Sequence, residues 1–352
     1  MPATEPPPPV IVTDPTHHRH DPAFDLDRGL RREPRHERPE RLDAILTALR
    51  HRGHRPQPAS TADDAAVTAV HDPAMVAFLR DGYQAWRQAG GGPVMIPDTH
   101  PSPRWAGGGR RCTSPFGALG WWCVDTATPL VEGSYAAARA AVDVAVTAAD
   151  LVAGGTPLAY AVTRPPGHHA GPDYFGGFCL FNPAAIAARR LTDGGRVAVI
   201  DIDVHHGNGT QDVFWRDPDV LYVSVHTDPD HQFPFYSGFA DEVGSGPGRG
   251  STRNLPLAPD SGDAEHLAAL QIGLEVVDGF DPATIVVSGG LDASAGDPLG
   301  QLTLSPDGLE AVGRAIAGLD RPTLLVQEGG YAIESLGELA GRLLDGLASR
   351  SD

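Results

Sequence analysis

Between Val199 and Gly209 the chain reads VIDIDVHHGNG, with two aspartates and two histidines inside six residues, directly after strand-forming Val and Ile. Alternation along a strand sends Asp201, Asp203 and His205 one way and Ile202 and Val204 the other, leaving His206 out of phase. Carboxylate oxygen and imidazole nitrogen at a strand end suit Zn²⁺ or Fe²⁺. A third protein ligand must come from another loop, and Asp292 in GGLDAS is the strongest candidate, because glycine permits close backbone approach. Three protein ligands leave one coordination position open, the pattern of a catalytic rather than a structural metal.

Other polar clusters fit that chemistry. His168–His169 in RPPGHHA is an acid/base element, since water activated at a metal needs a base near pH 7 and a leaving amine needs a proton. Asp201 is placed to accept a ring N–H from one of the pair and fix its tautomer. Tyr331 in EGGY offers a hydroxyl to a developing oxyanion. Each feature alone has a plainer explanation: a hydrogen-bonded aspartate, a surface histidine pair, an ordinary turn. Their common position carries the argument, because each lies just past a β-rich run.

Those runs are 158–163, 196–202, 219–225, 284–289 and 322–328, with helical patterns at 183–192, 263–277, 306–318 and 334–348 and a longer one from Ser134 to Gly154. Near-continuous apolar strands between helices predict a single α/β domain, doubly wound, with a mainly parallel sheet and helices on both faces. In such sheets ligands bind at the carboxyl ends of the strands, where these loops fall. Residues 1–9, with four consecutive prolines, read as a flexible tail, and 10–350 as the domain. Within it, 90–120 reads as a long loop without periodicity, a length more often functional than idle. The charged stretch 28–41, with six Arg and three Glu, reads as a solvated or salt-bridged lead into a helix at 41–50.

Composition narrows the partners. With 45 acidic against 27 basic residues and a formal charge of −18, nucleic acid and anionic membranes are poor partners. The apolar segment 136–151 is broken by Arg139, Asp143 and Asp150, so no membrane span is expected, and no signal peptide is legible. Three irregularly spaced cysteines, Cys112, Cys123 and Cys179, argue against a disulfide framework and for a cytoplasmic setting.

RPPGHHAGPDYFGGFCLFNPAAIAA, VAVIDIDVHHGNGTQDVFW, SGGLDASAGDPLG and EGGY occur in that order. By these motifs the chain resembles the arginase/deacetylase superfamily, specifically its zinc-dependent histone deacetylase and acetylpolyamine amidohydrolase branch, from about Asp21 to Leu347. The resemblance implies one zinc ion bound by Asp203, His205 and Asp292, with Fe²⁺ as the alternative, and His169 as principal base and acid beside His168 paired with Asp201. It further implies Tyr331 as the carbonyl-polarising tyrosine and Gly177, Phe178 and Phe233 along a narrow substrate tunnel. A potassium ion near Asp201, Asp203, His205 and Ser224 follows from the same likeness. Asn208 matches the class II form of the histidine partner, where class I enzymes carry an acid.

The implied reaction is removal of an acetyl or other acyl group from a primary amine, a small acetylated amine or polyamine in first place. Acetyl-lysine or a secondary-metabolite intermediate stands as the alternative. The 90–120 loop resembles the insertion through which acetylpolyamine amidohydrolases narrow the site and form homodimers, although Arg104, Arg110 and Arg111 stand where those enzymes place acids. A two-metal arginase-like ureohydrolase needs further carboxylates near His205, where Gly207 and Asn208 lie. A non-catalytic acyl-amine binder would have lost a ligand, the histidine pair or the tyrosine, and none is missing.

Overall fold

The computed structural model describes residues 7–27, 31–33, 35–102 and 104–349; residues 1–6 of the expected tail and residue 350 of the expected domain lie outside the described residues. In chain order the elements are β1 (Val10–Thr13), the two-stranded ribbon β2 (Asp25–Asp27) and β3 (Arg31–Glu33), α1 (Glu40–His51), β4 (Gln57–Pro58), α2 (Asp64–Thr68) and α3 (Pro73–Gln88). Then come α4 (Pro115–Trp122), α5 (Ser134–Ala153), β5 (Leu158–Ala161), α6 (Pro183–Leu191), β6 (Val197–Asp201), α7 (Asn208–Phe214), β7 (Val220–Thr227) and β8 (Thr252–Leu257). The chain closes with α8 (Asp263–Phe280), β9 (Thr284–Gly289), α9 (Pro306–Ala317), β10 (Thr323–Gln327) and α10 (Ile333–Ala348).

Eight strands form one sheet in the order β4-β1-β5-β10-β9-β6-β7-β8, and every pairing is parallel. Parallel neighbours need crossovers, and the helices supplying them cover both faces. Alternate strand residues therefore enter two separate cores. Val197, Val199, Tyr222, Val286 and Val326 pack with α3, α5 and α6, while Ala198, Ile200, Val223, Val287 and Leu325 pack with α1, α8, α9 and α10. Because both faces are buried, these strands are apolar at nearly every position, which is what made them legible.

The expected 90–120 loop needs correction. It holds α4, which begins inside the interval at Ser114–Pro115, a cap followed by proline in the first turn. Met95 and Leu130 also form an antiparallel bridge that closes the excursion at its base. The helix escaped notice because its eight residues, PFGALGWW, are apolar nearly all round and so carry no period.

Of the two forms expected for the charged lead into α1, the salt-bridged one is found, and Glu37 and Arg41 are in addition fully buried. Glu37 takes Arg164 Nε on Oε1 and Nη2 on Oε2, both at 2.7 Å, and Arg41 Nη1 at 2.9 Å. The one carboxylate is shared by two guanidinium groups, whose other N–H groups donate to the carbonyl oxygens of Gly330, Glu328, His17 and His20, and this pairing and hydrogen bonding is the condition for burying them.

Candidate active site

Five adjacent strands, β5, β10, β9, β6 and β7, end at one rim, and the loops leaving them carry the candidate residues. The turn after β6 is built by its own aspartates. The strand stops at Asp201, whose Oδ1 accepts from Asp203 N–H at 3.2 Å, and Asp203 Oδ1 accepts from His205 N–H at 2.9 Å. Side-chain-to-backbone turns of this kind, rather than continued strand alternation, aim the three polar groups, while Ile202 and Val204 enter the core. His206 is turned elsewhere, with Nε2 3.1 Å from Gln211 Oε1.

One oxygen each of Asp203 and Asp292 and a ring nitrogen of His205 lie within 4.8 Å of one another, all buried. His205 Nδ1 is 3.0 Å from Asp203 Oδ1 and 3.4 Å from Asp292 Oδ2. Ligand atoms held about 2.1 Å from a tetrahedral ion stand about 3.4 Å apart, so the set matches a small divalent cation. Asp292 Oδ2 is buried without a hydrogen bond among the described residues. Burial and the Asp203 charge push the Asp292 carboxyl up to about 7, the strain a cation would relieve. Burial opposes ionisation of Asp203 as well, but His168 and the bonds from His205 hold that carboxyl well below its usual range. Glycines make the room: a β-carbon at Gly329 would stand 2.0 Å from Asp292 Oδ2, and one at Gly290 would stand 2.2 Å from Asp203 Oδ2. On its far side His205 Nε2 meets Gln232 Nε2 at 2.8 Å, and that amide is held by Leu299 O and Gln301.

Beside this set stand His168 and His169, ring centroids 4.0 Å apart. His168 Nδ1 is 3.1 Å from Asp201 Oδ2, which also accepts from Tyr222 O–H at 3.0 Å. Burial alone would lower His168, but Asp203 and Asp201 raise it to about 10. His169 goes the opposite way, well below its ordinary value, through burial and then the neighbouring His168 and His205. Its Nδ1 lies 2.8 Å from Asn208 Oδ1. Asn208 Nδ2 donates to the Tyr174 hydroxyl oxygen Oη at 3.1 Å, and Tyr174 O–H donates to Asp212 at 2.6 Å. The tyrosine has one hydrogen and gives it to the carboxylate, so Asn208 must present its amide hydrogens to Tyr174 and its oxygen to His169. His169 therefore carries its proton on Nδ1 and leaves Nε2 as the acceptor.

Aromatic rings wall the space above. Phe233 packs edge-on to His169 at 4.8 Å and lies 6.4 Å from His205, and Phe178 is 5.6 Å from Tyr331. Tyr331 is buried beneath the Arg41 guanidinium, 4.6 Å from its ring, and burial raises its hydroxyl pKa. Gly177 and Phe178 both take positive φ, 57° and 66°. Asp125 Oδ2 accepts from Gly177 N–H at 2.5 Å and Thr128 Oγ1 from Phe178 N–H at 2.9 Å, pinning that wall to the segment after α4.

Every candidate named from the sequence therefore joins one rim, although Ser224 spends its hydroxyl on His226 Nδ1 at 2.7 Å. Sequence reasoning missed the supports Asp125, Thr128, Tyr174, Asp212, Tyr222 and Gln232. It also missed Glu328, which accepts from the N–H groups of Gly167 and His168 at 2.6 and 3.1 Å and so holds the histidine loop. Glu328 sat inside QEGGY and was legible as a charge at a strand end. The others are single polar residues with no local pattern.

Comparison with known proteins gives consistent relatives. The histone deacetylase domain family matches residues 35–347. Acetylpolyamine amidohydrolase 1 of Pseudomonas aeruginosa is 39% identical over 319 residues, 89% of this chain and 92% of that protein. The acetylpolyamine amidohydrolase of Mycoplana ramosa is 37% identical over 318 residues, covering 90% and 93%. The crystal structure of an acetylpolyamine aminohydrolase from Burkholderia pseudomallei superposes with a TM-score of 0.93 at 34% identity, covering 97% of this chain and 100% of that one.

Proposed function

The chain belongs to the histone deacetylase domain family, and on that premise we propose that it hydrolyses the amide of an N-acetylated primary amine, an acetylated polyamine in first place, with one zinc ion. The observation that carries the reading is the unprotonated Nε2 of His169 beside a buried, under-bonded Asp203–His205–Asp292 set. Zinc at that set would lower the pKa of water towards about 7 and polarise a carbonyl. His169 Nε2 takes the proton as water attacks and returns it to the departing amine. His168, held by Asp201 with a raised pKa, stays cationic and stabilises negative charge developing nearby. Tyr331 donates its hydroxyl proton to the carbonyl oxygen, with Arg41 fixing its ring from behind. Phe178 and Phe233 exclude water along a slender amine chain and, with Gly177, shape its path.

The names of the relatives favour a polyamine substrate, and the net charge of −18 favours a cationic one. A panel of acetylputrescine, acetylspermidine, acetyl-lysine peptide and longer acyl-lysines tests this; the highest kcat/KM on an acetylpolyamine is expected, and preference for the peptide would reassign the substrate to acetyl-lysine. In the same assay His169→Ala should retain zinc and lose turnover by a factor of about 10² or more. Full activity in that variant would remove His169 from its role.

Three further assignments belong to this reading. A potassium ion at Asp201, Asp203, His205 and Ser224 is supported by Asp201 and Ser224 facing each other in register on β6 and β7. A homodimer through 90–120 is supported by the exposed Trp105 and Phe116 within that segment. A reducing cytoplasmic setting is supported by three cysteines that are all free, two of them buried. No helix among the described residues is long and apolar enough to cross a membrane.

A further inference from the structure

We propose that His17, His18 and Asp43 form a second metal site, separate from the Asp203–His205–Asp292 set, which takes a divalent transition-metal ion such as Zn²⁺, Ni²⁺ or Co²⁺. One ring nitrogen from each histidine and one carboxylate oxygen of Asp43 lie within 4.8 Å of one another. The site joins the 3₁₀ turn Pro15–Arg19 to α1, so an ion there cross-links the start of the chain to the helix that carries Arg41.

The hydrogen bonding of His18 points to a cation. Its Nδ1 lies 3.1 Å from the carbonyl oxygen of Pro15, which only an N–H can satisfy. In the neutral ring Nε2 is then a bare lone pair, yet it faces both oxygens of Asp43, at 3.1 and 3.2 Å. A lone pair set against an anion is repulsive unless a proton or a metal ion lies between them. A backbone carbonyl on one ring nitrogen, with the other turned to the ion, is the usual way a histidine ligand is oriented. The His18–Asp43 separation also approaches the roughly 3.4 Å between neighbouring ligands of a tetrahedral ion.

His17 is the independent observation. Its side chain is buried, and Nδ1 makes no hydrogen bond among the described residues. Its ring stacks on His18 with centroids 4.0 Å apart, an arrangement two protonated rings would resist. Arg164 bonds the His17 carbonyl at 2.6 Å, but its charge is matched by Glu37. His18 and Asp43 are half exposed, so water can complete the coordination and the ion can enter.

The test uses enzyme loaded with one zinc per chain, titrated with Ni²⁺ by calorimetry, with metal content read by emission spectroscopy after gel filtration. One further Ni²⁺ per chain is expected, with zinc unchanged at one. His18→Ala and Asp43→Asn should each weaken that binding tenfold or more while leaving turnover of the zinc-loaded enzyme as it was. Both side chains are half exposed, so neither change threatens the fold. Failure of the wild-type chain to take a further ion, or Ni²⁺ affinity in both variants equal to that of the wild-type chain, overturns the proposal.

Discussion

In the proposed role of base, His169 can act only in the form that leaves Nε2 bare, and three residues outside the candidate metal set decide that form. Asn208, Tyr174 and Asp212 pass orientation along a chain whose far end is a carboxylate. A neutral partner at 208 also lets burial and the neighbouring histidines hold the His169 pKa low. Asn208→Asp should reverse part of that effect, because an adjacent anion favours the imidazolium. Since the base works unprotonated, the acidic limb of the kcat/KM profile should move to higher pH by about one unit or more. A pH–rate profile checks this, and an unmoved limb would mean that 208 does not act on the base. Asp203, His205, Asp292 and the histidine pair were legible because they fall as polar clusters at the ends of apolar strands. Tyr174 and Asp212 were not, since each becomes meaningful only beside the other.

At the scale of elements, the wall formed by Gly177 and Phe178 is a turn held in the left-handed region by a distant segment. Gly177, at φ 57°, leaves no room for a side chain: a β-carbon there would sit 2.3 Å from His169 Cδ2. Gly177→Ala should therefore displace the base or the wall and lower kcat/KM by about tenfold or more, in line with the sensitivity of catalysis to ångström-scale misplacement. Zinc content should stay at one per chain, because the metal set lies on other loops; measured turnover and metal content separate the two effects. Strand limits were readable to within one or two residues, because apolar runs end where the polar rim begins. The strands β1, β4 and β8, the β2–β3 ribbon and helices α2, α3, α4 and α7 went unread. β8 is only partly buried, with a burial pattern that does not alternate, and α7 holds only seven residues.

Across the whole molecule, the charged lead is salt-bridged, one of the two forms expected, but the sequence did not show that its Glu37–Arg41–Arg164 cluster is buried. Arg41 Nη2 and Nε donate to the carbonyl oxygens of Glu328 and Gly330 at 2.6 and 2.5 Å, linking α1 to the loop that bears Tyr331. Glu37→Gln leaves two guanidinium groups buried with their counter-charge removed, and such losses destabilise by about 3–5 kcal/mol. Denaturant unfolding should register that loss as a lower midpoint with unchanged m-value. An unchanged midpoint would mean that the two arginines find other partners.

The sequence by itself determined the α/β class, the parallel sheet and the set of loops that carry chemistry. Apolar runs buried on both faces and polar clusters at their ends are local signals, readable along the chain. Only the tertiary structure decided which charges are buried, which amide faces which ring, and where a β-carbon has no room. Burial, tautomer and clearance arise between residues as far apart as Glu37 and Arg164 or Asp125 and Gly177. No run of neighbouring letters encodes a contact across 52 or 127 positions; the folded sheet makes it.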